Sequence, residues 1–163
     1  MASGTKLSQA GLISLYLELN FMARISFAYQ LAYRGPENKG RLRDFLVWLA
    51  GREGYGIDEL NFVICTDKYL LQINKAYLSH DYYTDIITFD LRETAGAIKG
   101  EIYISLDRVR ENAKTWNQPV YKELHRVIFH GLLHLCGYKD TLKADQVLMR
   151  QKEDFYLGEY FRR

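Results

Sequence analysis

The chain lacks the marks of a secreted, membrane or bulk nucleic-acid-binding protein. Its 163 residues include only two cysteines, Cys65 and Cys136. Both lie in apolar stretches (NFVICT and LLHLCG), where a thiol behaves as a small buried hydrophobe. No CxxC pair is present and nothing suggests a disulfide framework. No charged segment leads into an uninterrupted apolar run, so neither a signal peptide nor a membrane span is expected, and the cytoplasm is the expected compartment. Charge of one sign is also missing. With 22 basic and 20 acidic side chains the formal net charge is +2, which leaves a local basic patch as the only electrostatic route to RNA.

What is present is apolar surface, at 48% of residues. That is enough for one domain with a real core, so a metal would serve chemistry rather than folding. The 13 tyrosines suit cores and interfaces. Residues 1–10 (MASGTKLSQA) are small and polar and read as a disordered lead-in, with residues 11–163 as a single domain.

Periodicity predicts a strand over Leu12–Asn20, where apolar and polar residues alternate. After RGPENKG, a helix is expected over Gly40–Glu53, with Leu42, Phe45, Leu46 and Leu49 on one face. Strands are predicted at Leu60–Cys65, Ile86–Leu91 and Glu101–Ser105. Helices are predicted at Asp67–Tyr77 (capped by Thr66), Leu106–Trp116, Tyr121–Cys136 and Lys143–Phe161. Together these give an α/β (α+β) layered domain. It has a small mixed sheet of about four strands, about five helices, and a metal-binding helix near the C-terminus.

The chemistry concentrates in HGLLHLCGYKD, residues 130–140. Histidines at i and i+4 share one helix face, so His130 and His134 present two imidazoles to the same point. Gly137 stops the helix and turns the chain back, so Asp140 can supply an oxygen. Three ligands of this kind suit one zinc ion per chain with a position left for water, the arrangement of a zinc hydrolase. The outline is that of a metzincin protease, but those enzymes carry a glutamate base directly after the first histidine. Here that position is Gly131.

The same stretch resembles the YbeY family of metal-dependent endoribonucleases, whose pattern HGxLHLxGYxH is matched at His130, Gly131, Leu133, His134, Leu135, Gly137 and Tyr138. Asn74–Phe89 (NKAYLSHDYYTDIITF) resembles the family's upstream loop and strand, and Gly100–Ser105 its short following strand, so the likeness covers most of Asn61–Asp154. The resemblance implies cleavage of single-stranded ribosomal RNA, maturation of the 3′ end of 16S rRNA, ribosome quality control and association with the small ribosomal subunit. Two positions depart from the family: Asp140 stands where a third histidine is usual, and Leu78 where an arginine is usual. Arginine can fork onto a phosphate; leucine cannot.

In the loop preceding the strand at Ile86, His80 and Asp85 are the candidates for catalytic roles, while Asp81 and Thr84 are equally compatible with shaping a turn. His80 is placed to contact RNA phosphate in the arginine's stead, or to close the site as a fourth ligand. His125, about 140° around the helix from His130, reads as a satisfied, partly buried histidine, and Glu123 as a solvated first-turn carboxylate that could instead orient a ligand. Arg108, Arg110, Lys114, Lys122 and Arg126 are either a phosphate-facing patch or a solvated helix face. Two alternatives stay open beside the nuclease: a ribosome-assembly binding factor with a structural metal, and a metzincin-like peptidase.

Overall fold

The computed structural model describes residues 23–162. Four strands form one sheet: β1 (Arg24–Tyr29), β2 (Ile57–Cys65), β3 (Ile86–Asp90) and β4 (Ile98–Ser105). Their order is β1-β2-β4-β3, with β1, β2 and β4 parallel and β3 antiparallel to β4 at the edge. Five helices complete the described chain: α1 (Lys39–Arg52), α2 (Asp67–Leu78), α3 (Leu106–Thr115), α4 (Val120–Leu135) and α5 (Lys143–Arg162). The result is a single α+β domain with a mixed sheet. None of its described helices is long and apolar enough to cross a membrane.

Alternation along the strands sorts the residues between two clusters. Leu60, Phe62 and Ile64 of β2, with Ile98, Ile102 and Ile104 of β4, face the main core with α1, α4 and α5. Ile87 of β3 turns the other way, joining Cys65 and Leu70 in a smaller cluster under α2. Both cysteines are free and buried, and burial pushes their thiols up to about 12. Thr66 caps α2 as its sequence position predicts, accepting the amide of Tyr69 at 3.2 Å.

The strand expected at Leu12–Asn20 lies outside the described residues, as does the lead-in at 1–10. Arg24–Tyr29, a segment outside the predicted elements, is a strand. Its Ile25, Phe27 and Tyr29 alternate toward the core, pairing with Leu60, Phe62 and Ile64 of β2.

α4 is set down on the sheet at Gly131. A Cβ there would lie 2.9 Å from both Ile86 Cδ1 and Ile102 Cγ2, so any side chain would have to displace those isoleucines or lift the helix from β3 and β4. The glutamate that a peptidase of this outline needs has no space at that position.

Candidate metal centre

The end of α4 builds the centre through its backbone. Gly137, with φ at +94°, takes the left-handed conformation that glycine adopts freely. Its amide donates to the His134 carbonyl at 2.9 Å, and that of Tyr138 to Leu133 at 3.1 Å, a Schellman closure that reverses the chain. Arg92 satisfies a further carbonyl at the helix end, donating to Leu135 at 2.9 Å. The reversed chain brings Asp140 back over the exposed face of the two histidines.

The ligand atoms of His130, His134 and Asp140 all lie within 4.8 Å of one another. The two Nε2 atoms are 2.9 Å apart, and Asp140 Oδ2 lies 3.5 Å from each. Two nitrogens and an oxygen bonded to one tetrahedral zinc at its usual distances would be spaced by roughly 3.3 Å, so the trio fits the ion in spacing as in chemistry.

What surrounds the rings fixes which nitrogens are free. His130 Nδ1 meets Glu153 Oε1 at 2.8 Å, and His134 Nδ1 meets the Tyr138 carbonyl at 2.9 Å. Both partners are acceptors, so both Nδ1 atoms carry the proton and both Nε2 atoms turn to the shared point. Burial pulls His130 down, but the Glu153 hydrogen bond and the charges of Glu153, Asp85 and Asp140 outweigh it and leave its pKa raised. Burial, and then the charge on His130, lowers that of His134.

Each buttress is itself held. Glu153, 6% exposed, takes Arg126 and Arg150 on its other oxygen, each at 3.1 Å. The Tyr138 hydroxyl donates to Glu53 at 2.7 Å, and Glu53 also accepts from Lys152 at 2.8 Å and from the Tyr156 hydroxyl. α5 therefore supports both histidines, through Glu153 directly and through Lys152 and Tyr156 by way of Glu53 and Tyr138. Nothing local in RQKEDFY distinguishes Glu153 from a solvated helical glutamate, and sequence reasoning missed it.

The trio opens into a cleft of about 510 Å³, lined also by His80, Asp85 and β3. Asp85 is half-buried there, with Asn112 Nδ2 3.4 Å from its Oδ2. His80 lines the cleft without joining the ligand group; its Nδ1 lies 3.0 Å from the Tyr82 hydroxyl.

Residues 41–160 match the family described as Endoribonuclease YbeY. This chain belongs to the YbeY family. It is 49% identical over 141 residues to the endoribonuclease YbeY of Cytophaga hutchinsonii, covering 86% of this chain and 95% of that one. With its counterpart from Flavobacterium psychrophilum it shares 44% over 133 residues, covering 80% and 91%. The solution structure of TM1509 from Thermotoga maritima superposes with a TM-score of 0.56 at 27% identity, over 86% of this chain and 89% of that one.

Three flanking residues come out differently from their sequence reading or resolve it. Glu123 is not solvated: it is 4% exposed, 3.7 Å from Arg126 Nε, and burial raises its pKa. Arg126 is buried in ion pairs with Glu153 and Asp154, at 3.1 and 2.7 Å, and is no phosphate-facing cation. His125 packs among Phe129, Tyr160 and Phe161 with Nδ1 2.6 Å from the Tyr121 carbonyl, and takes no part in the ligand group.

Proposed function

We propose that this chain is a zinc-dependent endoribonuclease that cleaves single-stranded RNA by hydrolysis. The observation that carries the reading is the convergence of two Nδ1-protonated histidines and Asp140 beside an open cleft, in a member of the YbeY family. His130, His134 and Asp140 would hold one zinc ion. When bound, zinc lowers the pKa of a coordinated water and neutralises charge on a phosphate oxygen.

The protein's own part is to orient and to move a proton. Glu153 and the Tyr138 carbonyl keep Nε2 of each histidine aimed at the ion. Asp85 is the proposed general base: its Oδ2 leans on Asn112, leaving Oδ1 to take a proton from the attacking water. His80, engaged with Tyr82, is assigned to substrate contact rather than proton transfer.

The family membership supports ribosomal RNA as substrate, with 16S rRNA 3′ maturation and ribosome quality control on the small subunit, in the cytoplasm, as the setting. A purely structural metal would call for a fourth protein ligand, and His80 is not in the group that converges. The test is cleavage of a labelled single-stranded RNA, against the same sequence in duplex, by metal-loaded and metal-stripped protein. The reading expects internal cuts only in the single strand and only with metal; equal cutting after removal of the metal would overturn it.

A further inference from the structure

The cleft has a second wall, made by the loop between α2 and β3. Here the rings of His80 and Tyr82 stack, with centroids 5.1 Å apart and planes 24° from parallel. Tyr82 is 57% exposed, so this pairing does not serve the core. Both rings line the cleft that holds His130, His134 and Asp140.

The pair is presented on a fastened loop. Asn74, 2% exposed, donates from Nδ2 to the Tyr82 carbonyl at 2.9 Å, and its own carbonyl accepts the His80 amide at 3.3 Å. Lys75 and Asp81 close the loop with an ion pair of 2.7 Å. The loop that carries both rings is thus tied to α2 at both residues.

Charge narrows what can bind there. Among the described residues lining the cleft there is no lysine or arginine, while Asp85, Asp90 and Asp140 supply carboxylates. The protein side chains offer a polyanionic backbone little attraction, so affinity has to come from the faces of the bases. Stacking on an exposed aromatic ring does this without regard to sequence. It also discriminates by strandedness, because a base inside a duplex already has both faces covered. Leu78, which lines the same cleft, adds apolar surface to it.

Building on the endoribonuclease reading, we propose that the Tyr82–His80 pair is a stacking platform for one unpaired nucleobase flanking the cleaved phosphate, and that this platform produces the preference for single strands.

The experiment mixes full-length, metal-loaded protein with a single-stranded hexaribonucleotide carrying 2-aminopurine, whose fluorescence is quenched on stacking, and follows the rapid phase before products form. Wild type should quench; Tyr82→Ala should lose the quench and bind about tenfold or more weakly, while Tyr82→Trp restores both. The same label inside a duplex should give no quench with any variant. Undiminished quench and affinity in Tyr82→Ala would overturn the platform. The same samples, left to react, test the parent reading separately. Quenching by wild type with no cleavage by any metal form leaves the platform standing and removes the nuclease. Cleavage with a quench indifferent to Tyr82 does the reverse.

Discussion

Glu153 reaches from α5 to accept the Nδ1 proton of His130 at 2.8 Å, although 23 residues separate the two in sequence. Its second oxygen accepts from two arginines, so the carboxylate is held on both sides and resists turning of the ring. The protein alone thus sets the orientation of the ring.

Glu153→Ala should therefore lower zinc affinity about ten- to hundredfold while leaving all three ligands in place. Titration calorimetry with zinc reads this directly, and an unchanged affinity would mean that the ring is aimed by something else.

Asp140 is replaceable by chemistry rather than by size. Asp140→His should keep stoichiometric zinc, since both side chains ligate it, whereas Asp140→Ala should bind markedly more weakly. The double variant His130→Ala, His134→Ala should carry none. Metal analysis of the purified proteins decides it, and full occupancy in the double variant would remove the centre as described.

Asp85→Asn keeps the side chain's shape and its acceptor oxygen but cannot take a proton. RNA cleavage should fall about a hundredfold or more with zinc content unchanged. Wild-type rates in this variant would show that the base is elsewhere.

Burial would raise the Glu53 carboxyl, but hydrogen bonds from Lys152, Tyr156 and Tyr138 outweigh it and hold its pKa below the usual carboxylate range. A pKa depressed in the folded state stabilises the fold above the unfolded value, about 4.3, and that contribution is lost as pH falls through the folded value. Glu53→Gln should thus cost about 1–2 kcal/mol at neutral pH, with the gap to wild type closing in acid. Urea denaturation at several pH values measures it, and a gap constant with pH would contradict the assignment.

Restoring a peptidase-like glutamate with Gly131→Glu should give unfolded protein rather than a protease. Gly131→Ala is the informative variant. Helix propensity favours it by about 1 kcal/mol, but crowding against Ile86 and Ile102 should cost about 1–3 kcal/mol and leave it the less stable protein. A higher melting temperature would show that α4 can lift off the sheet freely.

The convergence of His130, His134 and Asp140 was legible because it is local: i,i+4 spacing and a glycine stop bring two rings and a returning carboxylate together within eleven residues. The buttresses were not, because Glu153 and Glu53 meet their partners only through the docking of α5 and α1. Glu123 misled for the same reason, since burial of a first-turn glutamate depends on what packs over it. β1 was visible in the alternation of Ile25, Phe27 and Tyr29, yet Leu12–Asn20 alternates over a longer run and drew the strand assignment instead. Periodicity alone does not say which of two neighbouring candidates finds a partner strand.

The double anchoring by α5 also sets an order of events during synthesis. α4 and both histidines leave the ribosome before α5 does, and a growing chain that ends short of Lys152 and Glu153 lacks the carboxylate that holds His130 and two of the three donors that hold Glu53. The contacts that hold both rings are therefore complete only once α5 has docked.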